Sequence, residues 1–83
     1  MAQFILIIST VIKTSFDLDS IKNAIADFNC ITEWSQDLED SDKILRIVSA
    51  EDITEKLIRQ LERAKVSASV LQVFEKGRAI TNQ

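Results

Sequence analysis

The sequence has no histidine, no proline, no tyrosine, one cysteine and one glycine among 83 residues. A lone cysteine cannot form an internal disulfide, and without histidine there is no clustered Cys/His zinc site. Because the only glycine is Gly77, no glycine-rich loop is available to bind a phosphate. The serines lack a histidine base for nucleophilic catalysis. We therefore expect a protein that is not an enzyme and needs no cofactor.

The sequence also lacks any run of lysine and arginine, and its formal charge is -3. This balance argues against nucleic acid and anionic membrane as main partners. The apolar segment FILIISTVI is too short to span a bilayer, and neither a basic residue before it nor a cleavage site after it indicates a signal peptide. We expect a cytoplasmic protein, with one domain over residues 1–75 and a polar tail over residues 76–83.

Apolar periodicity predicts the first strand and the first helix. Residues 3–12 are apolar on both parities, which is typical of a central strand. Residues 18–28 then follow a helical period, and Ser15 or Asp17 could cap that helix. The helical stripe consists of Leu18, Ile21, Ala24, Ile25 and Phe28.

The rest of the chain predicts two strands, a helix and a last strand. Residues 31–38 predict an edge strand with Trp34 and Leu38 on one parity, and residues 43–49 predict its hairpin partner. Asp52 and Glu55 predict the start of a second helix, and residues 67–74 the last strand. The order βαββαβ predicts an α+β, ferredoxin-like fold, with a four-stranded antiparallel sheet and two helices on one face. Metal chaperones, RNA binders, regulatory ligand domains and acylphosphatases share this fold.

The hairpin and the second helix resemble the heavy-metal-associated domain of copper chaperones and metal-pumping ATPases. That family has the segment G-V-x-x-W-x-V-D-x-x-x-x-D-K-x-L-x-V, followed by an acidic helix start and a K-x-A-G-[FY] ending. The likeness runs from about Phe4 to Leu71. The residues at matching spacings are Ile31, Trp34, Asp37, Asp42, Lys43, Leu45, Ile47, Arg63 and Ala64.

The resemblance places the family's Cys-x-x-Cys metal motif on residues 14–17, where both cysteines are missing. Thr14 stands at the first position and Asp17 at the second. The family binds Cu(I) through thiolates, and a hydroxyl and a carboxylate are too hard to replace them. Lys65 stands where the family usually has glycine, and Val66 where it has an aromatic residue or lysine. The resemblance thus implies the fold together with a degenerate metal site that holds no metal.

Three functions are compatible with this interpretation. The first is a non-metal protein-interaction module whose partner-binding residues are Lys13, Thr14, Ser15, Phe16, Asp17 and Lys65. The second is a divergent metallochaperone, or accessory domain of metal transport, that uses partner-supplied ligands or Cys30. The third is a small-ligand regulatory domain with a pocket at a dimer interface.

Four apolar residues, Ile5, Ile7, Leu71 and Val73, predict an exposed apolar sheet face that binds a protein partner or forms a homodimer.

Other candidate groups have simpler interpretations. Asp17 and Asp19 supply too few oxygens for a calcium site and favour helix capping. Cys30 is expected to be a half-buried structural thiol at the end of the domain opposite the loop. The acidic residues Asp37, Glu39, Asp40 and Asp42 are expected to form a solvated turn rather than a patch for a basic partner.

Overall fold

The computed structural model describes residues 3–39, 41 and 43–76. Its elements are β1 (Gln3–Thr10), α1 (Ser15–Ala26), β2 (Ile31–Gln36), β3 (Ile44–Ser49), α2 (Thr54–Arg63) and β4 (Ala68–Lys76). The strands form one antiparallel four-stranded sheet in the order β2-β3-β1-β4. The predicted ferredoxin-like fold is confirmed. Neither α1 nor α2 is long and apolar enough to cross a lipid bilayer.

The core lies between one face of the sheet and the two helices. Alternate residues of the inner strands are fully buried there, as β-strand alternation requires. Ile5 and Ile7 point to the other face of β1, which no helix covers, and they are half-buried. The sheet contributes Leu6, Ile8, Leu45 and Ile47 to the core, and the helices contribute Ile21, Ala24, Ile25, Leu57 and Leu61.

Several element boundaries differ from the sequence-based prediction, and β1 ends at Thr10 rather than at residue 12. Helix α1 begins at Ser15 rather than Leu18 and ends at Ala26, before Phe28. Strand β2 ends at Gln36. Strand β4 continues to Lys76, which pairs with Gln3, so the predicted tail loses its first residue. The rest of that tail, residues 77–83, lies outside the described residues.

The start of α2 also differs from the predicted capping box. Ile53 is the N-cap residue, and its side chain is buried in the core. The Asp52 carboxylate instead accepts hydrogen bonds from the backbone N–H and the hydroxyl of Thr54, at 3.1 and 2.6 Å. Asp52 therefore organises the turn before the helix rather than its first turn.

Three loops meet at one end of the sheet, which we call the loop end. They are the β1–α1 loop (11–14), the β2–β3 turn (37–43) and the α2–β4 turn (64–67). The backbone N–H of Val11 donates to the carbonyl of Ser67 at 3.0 Å, and the hydroxyl of Thr10 donates to the carbonyl of Lys43 at 2.6 Å. Two of the predicted acidic turn residues, Asp40 and Asp42, lie outside the described residues.

Candidate functional site

The β1–α1 loop is fixed by the side chain of Asp17. One carboxylate oxygen accepts hydrogen bonds from the backbone N–H groups of Lys13 and Thr14, at 2.8 and 3.2 Å. Thr14 is the N-cap residue of α1, so these bonds tie the loop to the first turn of the helix. A carboxylate in the first turn also interacts favourably with the helix dipole. Asp17 therefore caps the helix from inside it, which explains why α1 starts earlier than the apolar stripe predicts.

The predicted partner-binding residues of this loop differ in exposure. Lys13, Thr14 and Ser15 are exposed, whereas Asp17 is half-buried. The Phe16 side chain is 78% exposed, the largest fraction among the exposed apolar side chains of the described residues. A phenylalanine in the first turn of a helix would usually pack inward, since burying it stabilises a small domain. Here its ring faces solvent.

Lys65, the remaining predicted partner-binding residue, lies in the neighbouring α2–β4 turn at the same loop end. The N–H of Lys65 donates to the carbonyl of Glu62 and the N–H of Val66 to the carbonyl of Leu61, both at 2.9 Å. This pair of bonds is a Schellman motif, and the buried side chains of Leu61 and Val66 supply its usual apolar contact. Lys65 has φ of 64°, a left-handed value that favours glycine.

Two further exposed apolar residues, Val11 and Leu38, share the loop end with Phe16. Val11 follows β1, and Leu38 lies in the β2–β3 turn. We call these three residues, together with Lys13 and Lys65, the loop-end surface. Its apolar side chains come from the β1–α1 loop, the first turn of α1 and the β2–β3 turn, and Lys13 and Lys65 are its basic members.

A polar contact beneath this surface joins three strands, and sequence reasoning did not predict it. Gln36 Nε2 donates to the carbonyls of Lys43 and Ile44, at 2.7 and 3.2 Å. The Lys43 carbonyl also accepts from the buried hydroxyl of Thr10. Gln36 Oε1 is buried and has no hydrogen-bond partner among the described residues. The only indication of this contact in the sequence is Thr10, a polar residue that shares the predicted buried face of β1 with Leu6 and Ile8.

Within residues 3–39, 41 and 43–76, no group of three or more His, Cys, Asp or Glu side chains could hold an ion. At the positions of the family's two cysteines, Thr14 offers a hydroxyl and Asp17 a carboxylate that already accepts two hydrogen bonds. These hard oxygen donors do not fit a soft ion such as Cu(I).

Cys30 lies far from this loop. Its carbonyl accepts from the N–H of Ala50, and its sulfur accepts a hydrogen bond from the Ser49 hydroxyl at 3.3 Å. Ser49 pairs with Phe4, near the start of β1, whereas the loop follows the other end of that strand. The thiol is half-buried, as expected for a structural cysteine.

The four residues predicted to form an exposed apolar sheet face do not share one face. Phe74 pairs with Ile5 and Gln72 with Ile7, whereas Val73 pairs with the buried Leu6. Val73 therefore points to the helix-covered face, and grouping it with Ile5 and Ile7 was wrong. The cause is a bulge: the register shifts between Ile7 and Ile8, and Leu71 is the extra residue in β4.

Solved structures similar to this chain include heavy-metal-associated domains. The chain is similar to the N-terminal domain of ZntA in the apo-form, with a TM-score of 0.73 and 13% identity over 84% of this chain and 94% of that one. It is similar to the copper(I)-loaded first domain of the human copper chaperone for SOD1, with a TM-score of 0.69 and 10% identity over 87% and 97% of the two chains. It is also similar to the N-terminal domain of PacS from Synechocystis, with a TM-score of 0.66 and 17% identity over 82% of this chain and 97% of that one.

These likenesses confirm the predicted resemblance at the level of the fold. No family model matches the sequence. No curated protein matches it either. The correspondence of the β1–α1 loop to the family's metal motif stays a prediction from the sequence resemblance.

Proposed function

We propose that this chain is a non-enzymatic protein-interaction module built on the heavy-metal-associated fold. In this proposal the β1–α1 loop has lost soft-metal binding, and the loop-end surface docks a partner protein. One observation carries the proposal: the residues at the two cysteine positions, Thr14 and Asp17, serve as the N-cap and the internal cap of α1.

The chemistry of the capping contact supports the loss of metal binding. A metal ion at Asp17 would compete with the N–H groups of Lys13 and Thr14 for the same carboxylate oxygen. Those N–H groups would then lose their partner at a helix start, where the first N–H groups have none within the helix. Binding an ion would therefore cost the helix part of its cap.

The composition of the loop-end surface supports docking. Phe16, Val11 and Leu38 are apolar and exposed at one end of the molecule. Aromatic side chains that become buried on association often dominate interface energetics, and apolar clusters with a polar rim mark interaction sites. Lys13 and Lys65 provide such a rim and favour a partner with acidic residues around an apolar pocket.

A copper titration tests the loss of metal binding. The wild-type chain is expected to leave Cu(I) with a competing chelator. The double variant Thr14→Cys with Asp17→Cys is expected to withdraw one equivalent, because two thiolates on this loop match the preference of the ion. A Thr14→Ser, Asp17→Asn variant is the matched control, since it perturbs the same cap without adding sulfur. Stoichiometric binding by the wild-type chain would contradict the proposal.

A second candidate function is a divergent metallochaperone, favoured by the shared fold alone. One similar structure is a copper(I)-loaded chaperone domain, and another is the yeast copper transporter domain Ccc2a in apo and Cu(I)-loaded states. In this alternative the ion is held by partner-supplied ligands or by Cys30. If the wild-type chain does bind Cu(I), a Cys30→Ser variant tells the two ligand sources apart. It abolishes binding only if Cys30 is the ligand.

A further inference from the structure

Strand β4 forms one edge of the sheet. It pairs with β1 on one side only, and it is nine residues long. Alternate residues of an edge strand direct N–H and C=O groups outward, which makes the strand a template for another chain. Apolar side chains are exposed on both of its faces, namely Val70, Leu71, Val73 and Phe74.

The other edge of the sheet is different. Strand β2 has six residues, ITEWSQ, with an exposed charge at Glu33 and an irregular register near Ile31. Short length, charge and irregularity are the devices by which proteins prevent edge pairing. Strand β4 also has a bulge, at Leu71, and two charged residues, Glu75 and Lys76, at its end. It is longer than β2, however, and residues 67–74 carry no charge. Apolar residues on both faces are typical of an interior strand, although β4 lies at an edge.

We infer that β4 pairs antiparallel with β4 of a second copy of this chain. The two four-stranded sheets then form one continuous sheet with all helices on the same face. This inference does not depend on the docking proposal, because it uses an edge of the sheet rather than the loop end. A second copy fits because the face pattern of β4 matches itself in the antiparallel direction, and that direction brings no like charges together.

The face pattern determines the register of that pairing. Val70 and Val73 pair with Ile8 and Leu6, so both lie on the helix-covered face, and Ser69 and Phe74 lie on the other. A two-fold axis between Leu71 and Gln72 places Val70 opposite Val73 of the second copy, and Ser69 opposite its Phe74. Each residue then lies opposite a residue on the same face of the partner strand, and the two Leu71 bulges lie opposite each other.

The charge pattern favours the antiparallel direction. The charged residues of β4 are Glu75 and Lys76, at its end. Parallel pairing in register would place each beside its like-charged counterpart, which is destabilising. In the antiparallel register, Glu75 lies opposite Ala68 and Lys76 opposite Ser67. The charged residues then lie at the two ends of the contact, and its centre is uncharged.

The contact is small, so the dimer should be weak. Nine extended residues span about 30 Å, and the contact is one strand wide. Such an area belongs to the class of transient interfaces. We therefore expect a reversible monomer–dimer equilibrium that shifts towards dimer as the concentration rises.

Sedimentation equilibrium across a concentration series tests this inference. The wild-type chain is expected to dimerise, and Leu71→Lys to raise the dimer Kd about tenfold or more, because it places a charge at the centre of the pairing. Asn23→Lys is the control: it adds the same charge at an exposed position of α1, outside β4 and outside the loop-end surface. The control should leave Kd unchanged.

Amide hydrogen exchange locates the contact independently. Amides of β4 are expected to gain protection as concentration rises, while those of β2 do not. A chain that stays monomeric up to about 1 mM, the weak end of measurable affinity, overturns the inference. In that case the β4 edge would pair with an extended segment of another protein instead. A dimer that survives Leu71→Lys, or that protects other amides, also overturns it.

Discussion

Lys65 has a backbone conformation that its side chain does not favour. Its φ of 64° costs about 1 kcal/mol for a residue with a Cβ atom, and glycine avoids that cost. We therefore expect Lys65→Gly to stabilise the fold by about 0.5–1 kcal/mol, which raises Tm by a few degrees in a domain of this size. Thermal unfolding followed by circular dichroism measures the change. Lys65→Ala removes the same charge but keeps the Cβ, so its Tm should stay close to that of the wild type.

Asp52 should contribute a pH-dependent part of stability. The Thr54 hydroxyl, and then the Thr54 backbone N–H, donate to the carboxylate and lower the pKa of Asp52. Because the folded-state pKa is the lower one, this contribution is present above the unfolded pKa and is lost as pH falls through the folded pKa. Thr54→Val should raise the pKa of Asp52 in an NMR titration, whereas Thr54→Ser, which keeps the hydroxyl, should not.

The same Thr54→Val variant makes a second, thermodynamic comparison available. Its difference from the wild type in unfolding free energy should be larger at about pH 7 than at a pH low enough to protonate the carboxyl in both states. The exposed position of Asp52 keeps the effect small. An equal difference at both pH values would show that the hydroxyl acts through packing alone.

At the scale of the elements, Gln36 joins β2 to β3 through a buried amide whose oxygen has no partner among the described residues. Gln36→Leu should cost less than about 1 kcal/mol, because the carbonyl of Lys43 keeps its bond from Thr10 and the removed oxygen was already unpaired. Gln36→Glu should cost about 2 kcal/mol or more near neutral pH, since it places a carboxylate against two carbonyls. Urea unfolding of the three proteins measures both.

The pH dependence of the Gln36→Glu variant is its control. Protonating the new carboxyl restores a donor towards the carbonyls, so the penalty should shrink as pH falls. A penalty that does not depend on pH would mean that side-chain shape, rather than charge, disturbs the site.

The sequence predicted the elements well because their patterns are local. The apolar segments of β1 and β3 and the stripe of α1 each follow from side-chain periodicity. What the sequence did not reveal depends on contacts between elements. Leu71 became a bulge only through pairing with β1, which changed the face of Val73. The contact of Thr10 with the Lys43 carbonyl required the register of separate strands. The start of α1 depended on which of several polar residues capped it.

At the scale of the whole molecule, the two proposed interaction surfaces are separate. The loop-end surface follows the end of β1 at Thr10, whereas Phe74 pairs with Ile5 nearer the start of that strand. Each surface carries one exposed phenylalanine, Phe16 and Phe74. Because the residue type is the same, the two positions can be compared with the same chemical probe.

Replacing Phe16 or Phe74 by a photoreactive phenylalanine analogue should give different cross-linked products in cells. Position 74 is expected to yield an adduct of twice the chain mass, because its neighbour is a second copy. Position 16 is expected to yield an adduct with a different protein, since the exposed ring is the proposed anchor of the docking surface. Adding Leu71→Lys should remove the first adduct and leave the second. If position 16 gives no adduct beyond that of a probe at the exposed Lys22 on α1, the loop end is not a docking surface.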